Sequence, residues 1–184
     1  ERTTNGRGKV RSATFSYIQS LDAGSWFGDE FSGTSVLSLR ELLLWQKEMG
    51  VYLHLEIKPL GYNFLDHALE IIMSHVYQYG EPEKIKILTF QYEILQCLLR
   101  WGDKLPRVLG VNICSKKIIN LALDVGCVQV NAYHHTLSKS HILQIQRSKM
   151  KSGAFTVNES VQLERLKALG IDVVYTDDLK LTLS

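Results

Sequence analysis

The feature that most constrains the fold is a repeated alternation of a short apolar strand with an amphipathic helix, beginning near residue 51. Most of the helical segments end at a glycine, the usual residue just past a helix end. Alternation of this kind indicates βα units, whose strands pair in parallel. We predict six strands, at residues 51–59, 85–90, 107–112, 127–133, 154–157 and 171–176.

The helices have recognisable starts. Ser38 followed by Glu41 is a capping box, and the helix that it begins ends at Gly50. Ser115 and Asn158 are predicted to cap two of the later helices. The remaining helices are predicted at residues 63–79, 91–101 and 138–151, and Gly153 is expected to stop the last of them.

Two architectures accommodate βα units in series, an open doubly wound sheet and part of an eight-stranded barrel. A doubly wound nucleotide-binding fold would carry a G-x-G-x-x-G or Walker A run after a strand, and the sequence has neither. We therefore predict an α/β fold of the TIM (β/α)₈ class, with two strands unaccounted for. Residues 1–38 are predicted to form a loop-rich insertion and residues 39–184 the barrel units of a single domain.

The strand at residues 51–59 carries the charges of most interest. Strand side chains alternate between faces, so His54, Glu56 and Lys58 share one face of this strand. Burying such charges is costly unless each is paired or bound. In barrel enzymes, charges at the carboxyl end of a strand usually mark a site. A purely structural Glu-Lys pair at the sheet edge is the alternative.

Composition excludes several classes of function. The 21 Lys and Arg against 19 Asp and Glu leave a net charge of +2, too balanced to indicate nucleic-acid binding. Cys97, Cys114 and Cys127 lack the spacing of a disulfide framework or zinc site, which favours a reducing compartment and a cytoplasmic location. No apolar run approaches the about 18 residues of an integral membrane segment. The chain begins without Met, and we expect it to be the middle of a longer polypeptide.

Several motifs occur in an order that we identify with a known family. They are RTTNGRG at 2–8, LDAGSWF at 21–27, LEIK at 55–58, LTF at 88–90, TVN at 156–158 and GIDVVYTDD at 170–178. In this order they resemble the glycerophosphodiester phosphodiesterase family. The resemblance covers almost the whole chain, and its most specific part is DAGSWF followed by a strand that ends in E-x-K.

The resemblance implies a (β/α)₈ barrel with a small insertion in the DAGSWF region. It implies hydrolysis of a small-molecule glycerophosphodiester to sn-glycerol 3-phosphate and an alcohol, assisted by a divalent cation, Mg²⁺ or Ca²⁺. Glu56 matches a metal-binding carboxylate of the family and Lys58 the catalytic lysine beside it. A hard cation and a lysine suit charge developing on phosphoryl oxygens.

The departures from the family pattern concern other parts of the site. The family's general acid/base histidines and a Glu-x-Asp metal pair are expected upstream of residue 1, so this sequence alone lacks the catalytic histidines. The same upstream segment would supply the two strands missing from the count of six. Phe155 stands where the family often has a Trp lining the glycerol pocket, and it keeps an aromatic, substrate-binding wall without the indole N–H donor.

Two other functions remain open from the sequence. One is a catalytically inactive barrel remnant that acts as a binding or assembly module, and the other is a related lysophospholipase D with an apolar rim near Trp26 and Phe27. Six strands of a barrel leave open edges, so we expect these residues alone to aggregate or to form a homodimer.

Some conspicuous residues are predicted to be structural. His134 and His135 follow a strand without a third ligand at matching spacing, so no metal role is favoured. Asp177 and Asp178 suit a turn.

Three further features receive structural predictions. Asp22 is expected to hold the insertion together. Trp26 and Phe27 are expected to form its small core, and the alternative is an exposed substrate or partner surface. Arg147, Lys149 and Lys151 are predicted to form a basic helix end that complements the helix dipole.

Overall fold

The computed structural model describes residues 2–182. By their contacts, these residues divide into two compact units, one formed by residues up to 50 with 74–81 and one by 51–73 with 82–182. The helices are α1 (Phe15–Gln19), α2 (Leu39–Met49), α3 (Leu65–Tyr79), α4 (Tyr92–Arg100), α5 (Lys116–Asp124), α6 (Lys139–Arg147) and α7 (Ser160–Leu169). The strands are β1 (Leu53–Ile57), β2 (Ile85–Thr89), β3 (Arg107–Val111), β4 (Cys127–Tyr133), β5 (Lys151–Phe155) and β6 (Val173–Val174).

All six strands belong to one parallel sheet, in the order β1-β2-β3-β4-β5-β6. A doubly wound sheet reverses its strand order at one point, and this order shows no reversal. The sheet also curls, because the Tyr175 hydroxyl just beyond β6 lies 2.5 Å from Nδ1 of His54 on β1. The predicted α/β barrel class is confirmed as a curled, six-stranded parallel half-barrel, whereas the two further strands stay a prediction.

The core of the larger unit lies between the sheet and its covering helices. Its fully buried members include Leu95, Val130, Ile142 and Leu166. Residues on the outer face of β4 and β5, such as Val130 and Ala154, pack into this layer. The three cysteines are buried and unbonded to one another, which agrees with the absence of a disulfide framework.

Local capping explains most helix starts. Ser38 accepts a hydrogen bond from the Glu41 amide, and the Glu41 carboxylate accepts one from the Ser38 amide, so the predicted capping box is confirmed. Ser115 accepts from the Ile118 amide at the start of α5, also as predicted. Gly50 ends α2 in the left-handed region at φ 63°, where glycine avoids the Cβ clash.

The structure corrects the region around α6 and β5. Helix α6 ends at Arg147, four residues before the predicted end, because Lys149 adopts the left-handed φ of 59°. Strand β5 consequently begins at Lys151 and includes Gly153, which the sequence suggested as a helix stop. Lys151 therefore belongs to a strand, and the predicted basic helix end is wrong for this residue.

The second correction concerns the start of α7 and the length of β6. Glu159, and not Asn158, occupies the N-cap position of α7. Asn158 instead bonds to Asp177, donating from its amide to the carboxylate and accepting from the backbone N–H. Strand β6 comprises Val173 and Val174 alone, so it is shorter than predicted.

The smaller unit contains α2 and the loops before it. Trp26 is 54% and Phe27 70% exposed, so the prediction that they form the core of the insertion is wrong. Their rings meet edge to face at 5.6 Å, and the Trp26 indole N–H donates to the Ala23 carbonyl. The prediction of residues 1–38 and 39–184 as separate regions stays a prediction.

Within residues 2–182, none of the helices combines the length and the apolar character that crossing a bilayer requires.

Candidate functional site

Glu56 and Lys58 form an ion pair at the carboxyl end of β1. The Lys58 ammonium donates to Oε1 of Glu56 over 2.6 Å, and the side chains are 78% exposed for Lys58 and 31% for Glu56. The structure therefore brings together the two residues that the sequence singled out, with the carboxylate the more enclosed of the two. A pair this exposed adds little stability, so packing alone does not explain it.

A cluster of polar side chains lies deeper on the concave face of the sheet. We call it the lumen cluster, and its members are His54, Lys86, Gln129, Asn131 and Tyr175. The Tyr175 hydroxyl accepts hydrogen bonds from the Gln129 amide at 3.0 Å and from the Asn131 amide at 2.8 Å. The Gln129 amide also donates to Asn131 Oδ1 at 2.7 Å, and Lys86 donates to Gln129 Oε1 at 3.3 Å.

The alternation of strand side chains places these residues together. His54 stands opposite Lys86 in the β1–β2 register, and Gln129 and Asn131 are two residues apart on β4. Gly153 on β5 makes room for them, because a Cβ at this position would lie 2.0 Å from Asn131 Oδ1. The cluster therefore depends on four strands and on one residue without a side chain.

Hydrogen-bond capacity decides the protonation of the cluster. With two amide donors already at its oxygen, the Tyr175 hydroxyl has its own proton left to donate to His54 Nδ1. Burial and the charge of Lys86 lower the pKa of His54, and burial raises the pKa of Tyr175 against the opposing effect of Asn131 and Gln129. Burial, followed by the charge of Lys151, lowers the pKa of Lys86. The imidazole of His54 and the phenol of Tyr175 are accordingly both neutral near pH 7.

Three aromatic side chains lie where β2, β4 and β5 end. The Phe155 ring lies 5.5 Å from Phe90 and 6.4 Å from Tyr133, measured between ring centroids. Phe90 crosses β3, since a Cβ at Gly110 would lie 2.7 Å from the Phe90 ring. Phe155, proposed from the sequence as a substrate-binding wall, is therefore one of three aromatic residues at the end of the sheet where parallel strands carry their sites.

The described residues do not by themselves supply a complete set of cation ligands. Oε1 of Glu56 already accepts from Lys58, and the amide oxygens of Gln129 and Asn131 accept hydrogen bonds within the lumen cluster. Residues 2–182 contain no group of three or more His, Cys, Asp or Glu side chains placed to hold a metal ion. Mg²⁺ and Ca²⁺ need six or more oxygen ligands, so the single carboxylate of Glu56 is insufficient by itself.

The other residues considered from the sequence have structural contacts. His134 is 2% exposed and stacks on the exposed His135 at 3.9 Å between ring centroids, and within residues 2–182 neither belongs to a group of three or more side chains that could hold a metal ion. Asp177 bonds to Asn158, and Asp178 accepts from the Lys180 amide, as expected of turn residues.

Four members of the lumen cluster were not predicted from the sequence. Lys86, Gln129 and Asn131 each interrupt an apolar strand, Gln129 and Asn131 at alternate positions of CVQVNAY, and Tyr175 directly follows the two valines of β6. The two-residue spacing of Gln129 and Asn131 could have indicated a polar inner face of this strand. It could not indicate which other strands would contribute side chains to the same cluster.

The model of the glycerophosphoryl diester phosphodiesterase family matches residues 1–181. The chain belongs to this family. The assignment made from the motifs is therefore confirmed.

Relatives and solved structures agree with the family assignment. The glycerophosphodiester phosphodiesterase of Caldanaerobacter subterraneus is 24% identical over 178 residues, which cover 97% of this chain and 73% of that protein. The structure of an Oleispira antarctica phosphodiesterase in complex with the product sn-glycerol-3-phosphate superposes with a TM-score of 0.88 at 22% identity, covering 96% of this chain and 71% of that one. A glycerophosphodiester phosphodiesterase from Agrobacterium tumefaciens gives a TM-score of 0.77 at 20% identity, covering 98% and 75%.

Proposed function

We propose that this member of the phosphodiesterase family hydrolyses small glycerophosphodiesters to sn-glycerol 3-phosphate and an alcohol. The observation that carries the proposal is the family match along residues 1–181. The Oleispira relative binds sn-glycerol-3-phosphate as its product, which supports the same product here.

In this proposal Lys58 acts on the phosphoryl group. Its side chain is 78% exposed and its ammonium lies beside Glu56, so it can turn towards a phosphate oxygen without losing buried contacts. A positive charge at that point offsets the negative charge that builds on the phosphoryl oxygens in the transition state. Phe155, with Phe90 and Tyr133 beside it, would cover the apolar face of the glycerol.

We further propose that a divalent cation, Mg²⁺ or Ca²⁺, takes one ligand from Glu56. When bound, such a cation would neutralise charge on the phosphoryl oxygens. The remaining carboxylate ligands and the general acid/base histidines are proposed to come from residues outside 2–182. His54 is not proposed for that role, because its Nδ1 is bonded to Tyr175.

The test is release of sn-glycerol 3-phosphate from glycerophosphocholine by the full-length protein, with Mg²⁺, with Ca²⁺ and with EDTA. Glu56→Gln removes the ligand charge while preserving size, and turnover is expected to fall by at least about 100-fold. The turnover of Lys58→Met is expected to fall to a similar extent, because this variant has no ammonium group to contact the phosphoryl group.

An ion pair on the surface of α7 provides the matched control. Glu164 and Lys167 lie 2.9 Å apart and are 69% and 53% exposed, so Glu164→Gln and Lys167→Met should leave turnover unchanged. Glu56→Gln with activity near wild type would refute the metal-ligand role. Full activity in EDTA would refute the proposed requirement for a divalent cation.

The exposure of Trp26 and Phe27 is the feature that a lysophospholipase D would show. Lysophosphatidylcholine therefore belongs in the same assay as a second substrate. The relatives named above are phosphodiesterases, and glycerophosphodiesters remain the favoured substrate class. An inactive binding module would be supported only by the absence of turnover on both substrates.

A further inference from the structure

A half-open cavity of about 730 Å³ lies within the insertion, and none of its lining residues has a role in the hydrolysis proposed above. We call it the insertion cavity. Its volume falls within the about 300–1,000 Å³ typical of small-molecule sites. The large apolar side chains along it are Val10, Tyr17, Ile18, Leu21, Trp26 and Leu37.

The walls of the insertion cavity are held by a hydrogen-bonded frame around Asp22. Its carboxylate accepts from the amides of Gly24, Ser25 and Gly33 at 2.8–2.9 Å and from the Ser25 hydroxyl at 2.6 Å. These bonds, that of the Ser25 hydroxyl first, keep the pKa of Asp22 well below its ordinary value. Asp22 thus has the structural role predicted for it, and the loop from 22 to 33 is tied at both ends.

Close backbone packing completes the frame. A Cβ at Gly24 would lie 1.8 Å from the Phe31 carbonyl oxygen, and one at Gly6 would lie 2.5 Å from the Leu21 side chain. The Ala23 amide donates to the Thr34 carbonyl at 2.7 Å. The cavity is therefore enclosed by a preformed loop structure, which favours a specific ligand over non-specific adsorption.

The apolar walls are unusually exposed. Val10 is 76% and Leu37 59% exposed, and Tyr17 and Trp26 are 41% and 54% exposed. Large apolar side chains gathered around one depression indicate that an apolar group binds there.

The rim of the insertion cavity is positively charged. Arg7 and Lys9 line it, and none of its described lining residues is acidic. Across residues 2–182, neither cationic side chain has a hydrogen-bond or ion-pair partner. Arg7 and Lys9 also line an adjoining depression of about 320 Å³ that includes Ser12 and Thr14. The insertion cavity therefore continues into a smaller depression, which shares Arg7, Lys9 and Tyr17 with it and adds the hydroxyls of Ser12 and Thr14.

We propose that the insertion cavity binds a single-chain amphiphile with an anionic head group. The alkyl chain would lie against Tyr17, Trp26 and Leu37, and the head group would contact Arg7 and Lys9. The two cations select an anionic head group over a neutral or cationic one, and the apolar side chains along the same cavity select an alkyl chain. The proposal does not depend on the phosphodiesterase activity.

The experiment is isothermal titration calorimetry of the full-length protein with octyl, decyl and dodecyl phosphate, each below its critical micelle concentration and in EDTA. Alkyl monophosphates contain no diester bond, so failure of the proposed hydrolysis cannot imitate or conceal binding. We expect one saturable site. Its affinity should rise about tenfold for every two methylenes added to the alkyl chain, because each added methylene is buried in the insertion cavity.

Head-group recognition is tested with decyl phosphate, decanoate and decyl glucoside. Either anion should bind more tightly than the glucoside, and the anion with the higher affinity identifies the head group as phosphate or carboxylate.

The double variant Arg7→Gln/Lys9→Gln should weaken the binding of decyl phosphate roughly two- to thirtyfold and leave the affinity for decyl glucoside unchanged. The control is Arg11→Gln, because Arg11 is an exposed cation of the same segment that lines neither the insertion cavity nor the adjoining depression.

Filling the insertion cavity with a larger side chain gives an independent test. Ala13→Phe fills the cavity and should abolish binding, whereas Ser16→Phe on the exposed side of α1 should not. If Ala13→Phe does not fold, the chain-length series and the charge variant decide. The proposal is overturned by the absence of saturable binding, including the case in which another part of the protein fills the cavity. Equal affinity for decyl phosphate and decyl glucoside would overturn it as well.

Discussion

Tyr175 connects the two ends of the curled sheet through its hydroxyl group. That oxygen contacts His54 from β1 and the amides of Gln129 and Asn131 from β4, so one atom satisfies two buried amides and one half-buried imidazole. Buried polar groups that lose a partner retain the cost of their desolvation. The residue is therefore expected to matter more for stability than its partial exposure suggests.

Replacement of Tyr175 by Phe tests this role. The variant should lower the free energy of unfolding by about 1–3 kcal/mol, because the ring remains while the partners are left unpaired. Urea unfolding followed by circular dichroism measures the difference. Tyr52→Phe, at a tyrosine that is 79% exposed, is the control and should be neutral. Equal stability of the two variants would show that water replaces the hydroxyl.

His134 predicts a dependence of stability on pH. Burial first, then the charges of His135 and Arg165, lower its pKa, against the opposing effect of Glu159. The unfolded chain therefore binds more protons than the fold once the pH falls below about 6.5. The free energy of unfolding should fall as the pH drops from that value through the folded-state pKa, and should be unaffected above it.

The variant His134→Gln isolates this contribution. Between pH 7.5 and 5.5 its stability should decline less steeply than that of the wild type, by no more than about 1.4 kcal/mol per pH unit, the limit for one proton. Denaturant titrations at several pH values measure the slopes. His67→Gln, at a side chain that is 77% exposed, should keep the wild-type slope. Parallel slopes for wild type and His134→Gln would contradict the assignment.

At the scale of elements, β4 and β5 show how one strand makes room for another. Asn131 on β4 lies over Gly153 on β5, in the space that a Cβ would occupy. The Asn131 amide cannot move aside freely, since it bonds to Gln129 and Tyr175. The glycine that resembles a helix stop in the sequence is thus a packing requirement of the sheet.

Gly153→Ala is accordingly expected to destabilise the protein by about 1–3 kcal/mol, through displacement of Asn131. Thermal and urea unfolding measure the change. Gly61→Ala is the control, because its Cβ would meet only the Phe64 ring at 3.8 Å and its φ of −67° suits alanine. A neutral Gly153→Ala would mean that the lumen cluster rearranges at little cost.

At the scale of the whole molecule, the sheet has two strands with free edges among the six described. Strand β1 pairs only with β2, and β6 pairs only with β5. Unpaired strand edges promote association between chains unless something covers them. This is the physical basis of the homodimer predicted from the sequence.

We expect a protein consisting of residues 1–184 alone to self-associate. Size-exclusion chromatography with light scattering, over a hundredfold range of concentration, measures the mass. The full-length protein under the same conditions is the comparison, and it should show less association if its sheet edges are covered. A monodisperse monomer of 20.9 kDa at high concentration would contradict the prediction.

The sequence by itself determined the order of elements and the family. Apolar periodicity and caps such as Ser38 with Glu41 act between near neighbours, so they can be read along the chain. The E-x-K motif also placed Glu56 and Lys58 on one strand face, where the structure pairs them.

Only the tertiary structure decided which distant residues meet. The contact of His54 with Tyr175 joins positions 121 residues apart, and it depends on the curl of all six strands. The same holds for Gly153, whose missing side chain leaves room for Asn131 of the neighbouring strand, and for Trp26, which lines an open cavity where a core was expected. Such contacts arise when the whole sheet and its loops are assembled, because burial and hydrogen bonding between remote segments have no counterpart in local sequence spacing.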